Sequence, residues 1–527
     1  MITRILLVAG FAASALACGT RPTLTAGRWV GDLVDSTGAT PFEMTVDSAG
    51  GGNVTARGWR LADAPITPRP DRADSIVFDA VVDGDTATIA GLVEDGRFLG
   101  QARRGTDRRT VELRLAAPFA PADWGRLFGA YRGSDGHLFG IAPFEEFGPV
   151  PQLVDYTTGR IGGLIPVGPD RLLISRSLVA PRFPADTLEV QRAEDGTVTG
   201  IAVRGADWTP PVTASRVAAT TEEFSFRNGE VTLQGTLTTP GQPGPHPAIV
   251  LVHGSGPLTR NHLGIWVPFF ASQGFAVLAF DKRGTGGSSG DWQQVGFGPL
   301  ADDVVAGVRA LAARPDIRRD RIGLWGISQA GWIMPLATSR APGEIAFLIV
   351  HAGTGTTVRE QGVLNLQYEY RFAGASEEQI AVATRYQMID DTVTTTGRGF
   401  DRLERFFAEH GASAELYPPR PVDAPFRAYY RLLIDYDPAA TWTKVTSPVL
   451  LFFGELDANV PPRESWPPIE RGLRAAGNER VEHVVLPRAN HVLLEARTGA
   501  GSEYPGLSRF VPGYFDRMAA WLAARRD

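Results

Sequence analysis

Two spacings of apolar residues divide this chain near residue 220. Before it, apolar and polar residues alternate with a period close to two in short runs. Ser75-Ile-Val-Phe-Asp-Ala-Val-Val82 and Thr187-Leu-Glu-Val-Gln-Arg192 are examples, the pattern of strands with one wet face. The dipeptides Asp83-Gly84, Asp95-Gly96, Asp135-Gly136 and Asp195-Gly196 punctuate these runs and suit tight hairpin turns. After residue 220, a hairpin at Asn228-Gly229 leads into continuous apolar runs: Ala248 to Val252, Ala276 to Phe280, Ile322 to Trp325, Ile345 to Val350 and Val449 to Phe453. Helix-compatible stretches such as Leu300 to Ala312 separate them, which predicts a mostly parallel sheet covered on both faces.

The Pro-rich break Ala116-Ala-Pro-Phe-Ala-Pro121 splits the β-rich half into two units, 18–118 and 119–219, ahead of an α/β domain at 220–527. Between Val350 and Val449 the chain is too long for a simple crossover and carries helical patterns near Glu377 to Asp390 and Asp401 to Glu409. A helical cap insertion at about 352–440 is expected there.

Composition narrows the partners. The 527 residues carry 52 basic and 58 acidic side chains, a net charge of −6 with no long single-sign run, which argues against a nucleic-acid surface. Only Lys282 and Lys444 are lysine, and the single cysteine, Cys18, excludes an intramolecular disulfide or a Cys-based metal site. Met1 to Arg4 followed by the apolar run Ile5 to Ala17 reads as a secretory signal at 1–17, too short to span a membrane. Its end has two readings: Ala15-Leu16-Ala17 fits ordinary cleavage, and Ala17-Cys18 resembles a bacterial lipoprotein box with an acylated cysteine. Either way the expected location is the cell envelope, periplasm or outer membrane, with membrane contact only through a lipid at Cys18.

The chemistry gathers in the α/β half. Trp325-Gly326-Ile327-Ser328-Gln329-Ala330-Gly331 follows a predicted strand and precedes a helical segment, the context of a sharp turn that exposes a serine between small neighbours. The pattern is G-x-S-x-A, with Gly331 one place later. His253-Gly254-Ser255-Gly256-Pro257 forms a loop whose backbone N–H groups, at Ser255 or alternatively Gly254, can face a developing oxyanion together with the N–H of Gln329. Gly454-Glu455-Leu456-Asp457 and Ala489-Asn490-His491 put a carboxylate and an imidazole on loops after two further strands. Serine needs a base and the base needs an acid. His491 and Asp457 fit those roles, with Glu455 the competing acid.

With Phe280-Asp-Lys-Arg-Gly-Thr-Gly-Gly-Ser288, Tyr436-Asp-Pro438 before Pro448 to Gly454, and His491 to Tyr504, this region resembles the α/β-hydrolase superfamily. The resemblance is to serine esterases and peptidases related to dienelactone hydrolase and the prolyl oligopeptidases. It implies an α/β-hydrolase fold, a Ser328, His491, Asp457 triad, a small-molecule ester substrate and no cofactor or metal. The alternatives are a serine peptidase, or a non-catalytic envelope-binding protein on a hydrolase scaffold. Other features have structural explanations: Gly284 to Gly290 lacks the spacing of a dinucleotide loop, and Asp83 with Asp85 reads as a hairpin tip rather than a metal site. His253 is expected to brace the oxyanion loop, His351 to lie in the core or the pocket, and Trp266, Trp292, Trp325 and Trp332 to pack the core or line an acyl pocket.

Overall fold

The computed structural model describes residues 24–34, 39–56, 61–69, 75–82, 85–94, 96–148, 150–176, 178, 186–411 and 425–526. The signal segment, Cys18 and the Asp83-Gly84 turn lie outside the described residues. The chain divides into two compact units, residues 1–116 and 117–527.

The first unit is a closed antiparallel barrel of eight strands in sequential order. The first strand, Gly27–Val34, pairs with both its neighbour and the last strand, Asp107–Leu115, so no edge is left open. Its interior is filled by Trp29, Phe42, Met44, Phe78, Ile89 and Phe98 among others, the inward members of the alternating pattern. Asp85 opens a strand here and pairs with Arg104 at 3.5 Å.

The second unit begins with another closed eight-stranded barrel, running from Gly129–Gly133 to Trp208–Arg216, which pair with each other to close it. Its outer wall joins the α/β region. Tyr156 donates its hydroxyl to the Ile265 carbonyl at 2.6 Å and packs against Phe269 and Phe515.

The α/β region is an eight-stranded sheet: β1 (Ala219–Asn228), β2 (Val231–Pro240), β3 (His246–Val252), β4 (Ala276–Phe280), β5 (Ile317–Ile327), β6 (Leu348–His351), β7 (Val449–Gly454) and β8 (Val481–Leu486). The order is β1-β2-β4-β3-β5-β6-β7-β8, with β1 and β2 antiparallel and every pairing from β4 through β8 parallel. Every residue of β3 is buried, as its unbroken apolar run requires of a central strand. The apolar run from Ile345 supplies core before it supplies pairing: Ile345 and Phe347 are buried, but the strand begins only at Leu348.

Helices α1 (Trp266–Ser272), α2 (Phe297–Ala312) and α3 (Ala330–Arg340) cover the sheet. Between β6 and β7 come α4 (Val358–Phe372), α5 (Glu377–Thr396), α6 (Phe400–His410) and α7 (Pro425–Leu433), the helical insertion. Thr357 and Glu360 form a capping box that starts α4 directly after the loop leaving β6. A mostly parallel, helix-covered sheet is therefore preceded by β-rich units, as the two apolar spacings predicted, and this is the α/β-hydrolase fold that the resemblance implied.

Candidate active site

The loops at the C-terminal ends of β3, β5, β7 and β8 meet around a cavity of about 270 Å³ lined by Gly254, Ser255, Ser328, Asn459 and His491 among others. Ser328 sits between β5 and α3 with φ +58°, a left-handed conformation that is costly for a side-chain-bearing residue and marks a sharp turn. Its N–H donates to the His351 carbonyl on β6 at 3.0 Å, and its own carbonyl accepts from Gly331 N–H at 2.8 Å. The G-x-S-x-A-G spelling follows from contacts. A Cβ on Gly326 would lie 2.5 Å from the Ala330 Cβ, and one on Gly331 would lie 2.6 Å from Gly353 Cα. Ala330 fills the space that Gly326 leaves, so the second small position tolerates alanine, and Gly331 takes the close approach to the β6 loop.

Asp457 and His491 are brought together because Gly454 carries no side chain: a Cβ there would stand 2.4 Å from the carbonyls of Ala489 and Asn490. His491 Nδ1 lies 2.9 Å from Asp457 Oδ2 and 3.1 Å from Oδ1. A carboxylate only accepts, so Nδ1 carries the hydrogen and Nε2 keeps a lone pair. Asp457 is 1% exposed, and its Oδ1 also accepts the N–H groups of Asn459 and Val460, both at 2.8 Å. Burial pulls the His491 pKa down. The charge and hydrogen bond of Asp457, with the charges of Glu146 and Glu369, outweigh it and hold the imidazole above its ordinary value. Glu455, the competing acid, is exposed and accepts the Arg488 N–H at 2.9 Å.

The oxyanion-loop candidates lie beside this pair. Gly254 and Ser255 belong to the cavity wall. Gln329 is buried and is the N-cap of α3, so its N–H lies outside the helix's own hydrogen-bond ladder, at the positive end of the helix dipole. His253 braces this loop: its Nε2 lies 2.5 Å from the Phe280 carbonyl, and burial lowers its pKa to about 3, so the neutral ring donates.

Lys282 organises the same loop. It is 2% exposed, and its ammonium donates to the Gly254 carbonyl at 2.6 Å and the Gly256 carbonyl at 2.8 Å, 5.5 Å from the Trp292 ring centroid. In a trans peptide the carbonyl and the N–H point in opposite directions. The Gly254 carbonyl turned to Lys282 therefore leaves the Ser255 N–H facing away from it. The Gly256 peptide leads into Pro257 and carries no N–H. In the sequence Lys282 stands out as one of two lysines in an arginine-rich chain and as a member of the Phe280 to Ser288 turn, with no role of its own.

Other residues at the site came from segments whose local patterns are silent about chemistry. From α4, Gln361 Nε2 donates to the Asn459 carbonyl at 2.8 Å and Asn365 Nδ2 to Asn459 Oδ1 at 2.6 Å, holding the acid loop. Asn490 Oδ1 accepts the N–H groups of Val492 and Leu494 and shapes the histidine loop. Phe144 and Glu146 reach the cavity wall from the second barrel.

Of the four tryptophans singled out, Trp266 lines the cavity, Trp325 is fully buried, Trp332 donates Nε1 to the Thr356 carbonyl at 2.9 Å, and Trp292 covers Lys282. His351 lies behind the serine turn, its Nδ1 3.0 Å from the Tyr514 hydroxyl, its pKa lowered to about 3 by burial and then by His491. The Gly284 to Gly290 turn wraps the Asp281 carboxylate, which accepts the N–H groups of Gly287 and Arg260 at 2.9 Å each. That concavity is filled by the chain's own anion.

Parts of this chain are similar to known proteins. Esterase EstD of Thermotoga maritima is 25% identical over 314 residues, 56% of this chain and 68% of that protein. An Escherichia coli protein described as an uncharacterized 31.7 kDa protein in the traX-finO intergenic region is 26% identical over 227 residues, 42% of this chain and 75% of that protein. A solved esterase from Pyrococcus furiosus is 18% identical with a TM-score of 0.38, covering 58% of this chain and 91% of that one. Residues 249–500 match the family model described as the alpha/beta hydrolase family, and this region of the chain is similar to that family.

Proposed function

We propose that this protein is a serine hydrolase that cleaves carboxylic esters through an acyl-enzyme. The observation that carries the reading is the placing of Ser328 and His491 on one cavity with His491 Nδ1 bonded to the buried Asp457. His491 Nε2 takes the Ser328 proton as Oγ attacks the carbonyl carbon. Asp457 holds the tautomer and stabilises the imidazolium, and the N–H groups of Ser255 and Gln329 receive the oxyanion. The alcohol leaves with the proton from His491. Water then repeats the sequence on the acyl enzyme, with His491 again as base.

The test is a panel of p-nitrophenyl esters and aminoacyl anilides on the purified protein, with and without a serine-directed fluorophosphonate. Ester turnover lost on labelling supports the reading. Anilide turnover without ester turnover replaces it by a peptidase.

In this reading Lys282 is a positioning residue. Lys282→Met keeps most of the buried stem and removes the ammonium, so the Ser255 N–H loses its fixed direction. The expected result is a fall in kcat of roughly 10- to 100-fold with KM little changed, below the full loss of an oxyanion donor. Affinity for a boronate that mimics the tetrahedral adduct should fall in parallel. A drop in melting temperature with unchanged kcat in the remaining folded protein would show that Lys282 only supports the fold.

We also propose that the chain is exported and acylated at Cys18. Mass spectrometry of the mature N-terminus should find the lipid, and an unmodified Cys18 or an uncleaved leader would remove the anchor from this reading.

A further inference from the structure

We propose, resting on the esterase reading above, that the second barrel supplies the charge-selecting wall of the site, with Glu146 favouring esters that carry a positive group and disfavouring anionic ones. The turn Glu145–Phe147 lies between barrel strands Leu138–Ala142 and Gln152–Asp155. Both residues before Glu146 tie that turn to the hydrolase region. Phe144 is buried and packs edge-on to Trp266 with ring centroids 5.4 Å apart. Glu145 accepts the Thr259 hydroxyl and the Asn261 side-chain N–H, each at 2.8 Å, and lies 3.5 Å from His262 Nδ1. Glu146 is thus held at the cavity by anchors immediately before it in the chain.

Among the described residues Glu146 is the only Asp, Glu, Lys or Arg in the cavity wall, and no hydrogen bond or ion pair joins it to another described residue. Its charge nevertheless reaches the chemistry: it raises the pKa of His491, Lys282 and Tyr504 alike. The nearby cation does not cancel it. Lys282 spends its N–H groups on the Gly254 and Gly256 carbonyls, and burial brings its pKa down to about 7. Glu369 adds to the same negative field, acting on both His491 and Tyr504. The remaining wall includes Leu258, Leu263, Ile327 and Val492, which accept an alkyl group but offer a cation no competing charge. A ligand cation entering this cavity meets the exposed, unpaired carboxylate of Glu146 on its wall, and a ligand carboxylate meets repulsion.

The test compares kcat/KM for butyrylcholine with that for 3,3-dimethylbutyl butyrate, which replaces the trimethylammonium by a neutral group of the same shape. The natural protein should prefer the cationic ester about fivefold at low salt, less as salt rises. Glu146→Gln should bring the ratio close to one, and Glu146→Arg should invert it. A ratio of one or below in the natural protein, or a ratio that Glu146→Gln leaves in place, overturns the proposal. In the second case Glu146 acts only on the basicity of His491, and both esters fall together. A matched pair of phosphonates with thiocholine and neutral thioalkyl leaving groups reads the same discrimination from the rate of Ser328 modification. If neither ester is turned over, the esterase reading fails, while the phosphonate pair still decides the charge preference.

Discussion

Ser328→Ala should abolish ester turnover, by about 10⁶-fold in kcat, and eliminate fluorophosphonate labelling, while the melting transition stays where it was. The magnitude follows from the nucleophile acting as a unit with its base: removing either disables the same step. Ser328→Ala, His491→Ala and the double variant should therefore be similarly inactive, with losses far from additive. The stability expectation follows from the backbone. At φ +58° alanine meets the same steric cost as serine, and the cavity beside it does not close. Ser328→Gly separates the two properties further. Glycine adopts this φ without penalty, so that variant should be as inactive as Ser328→Ala and at least as stable as the natural protein. A Ser328→Ala protein with near-normal turnover would remove the acyl-enzyme mechanism altogether.

What the sequence made legible is the part of the site built by local rules. Ser328, Asp457 and His491 each follow an apolar run, and each run became a strand of one sheet, so the loops after β5, β7 and β8 share an end of it. The small residues around Ser328 were readable for the same reason, since a sharp turn excludes side chains within a few residues of itself. Barrel closure was not readable. Period-two alternation states that Gly27–Val34 and Asp107–Leu115 have an inner face, but nothing local states that they pair with each other across the length of the unit.

The contributions of Phe144, Glu146, Gln361 and Asn365 were hidden for a related reason. They lie in a turn between barrel strands and on a helix that buries only Val358, and only tertiary approach brings them to the cavity. Lys282 sat within a motif that the family resemblance covered as a turn. Its function as a donor to two carbonyls depends on where the side chain ends, 28 and 26 residues away in sequence.

Asp457→Asn should lower kcat by roughly 10³- to 10⁴-fold without unfolding the loop, because the surroundings dictate how the amide must sit. Asp457 Oδ1 accepts the N–H groups of Asn459 and Val460, and an asparagine keeps both bonds only by placing its oxygen there. Its NH₂ then faces His491 Nδ1, where Oδ2 stood at 2.9 Å. A donor opposite Nδ1 selects the tautomer with hydrogen on Nε2, which cannot take the Ser328 proton. The pH profile provides a second reading. In the natural protein His491 is held above its ordinary pKa, burial being outweighed chiefly by Asp457, and it must be neutral to act as a base. kcat/KM should therefore rise with pH through that elevated pKa. Removing the Asp457 charge leaves burial as the leading influence, so the acid limb of the residual activity should move to lower pH. Glu455→Gln should change kcat by no more than a few-fold and leave the acid limb in place, since that exposed carboxylate serves the Arg488 N–H and not the histidine. Kinetics in which Glu455→Gln is the more damaging substitution, or in which the acid limb ignores Asp457→Asn, would reassign the acid.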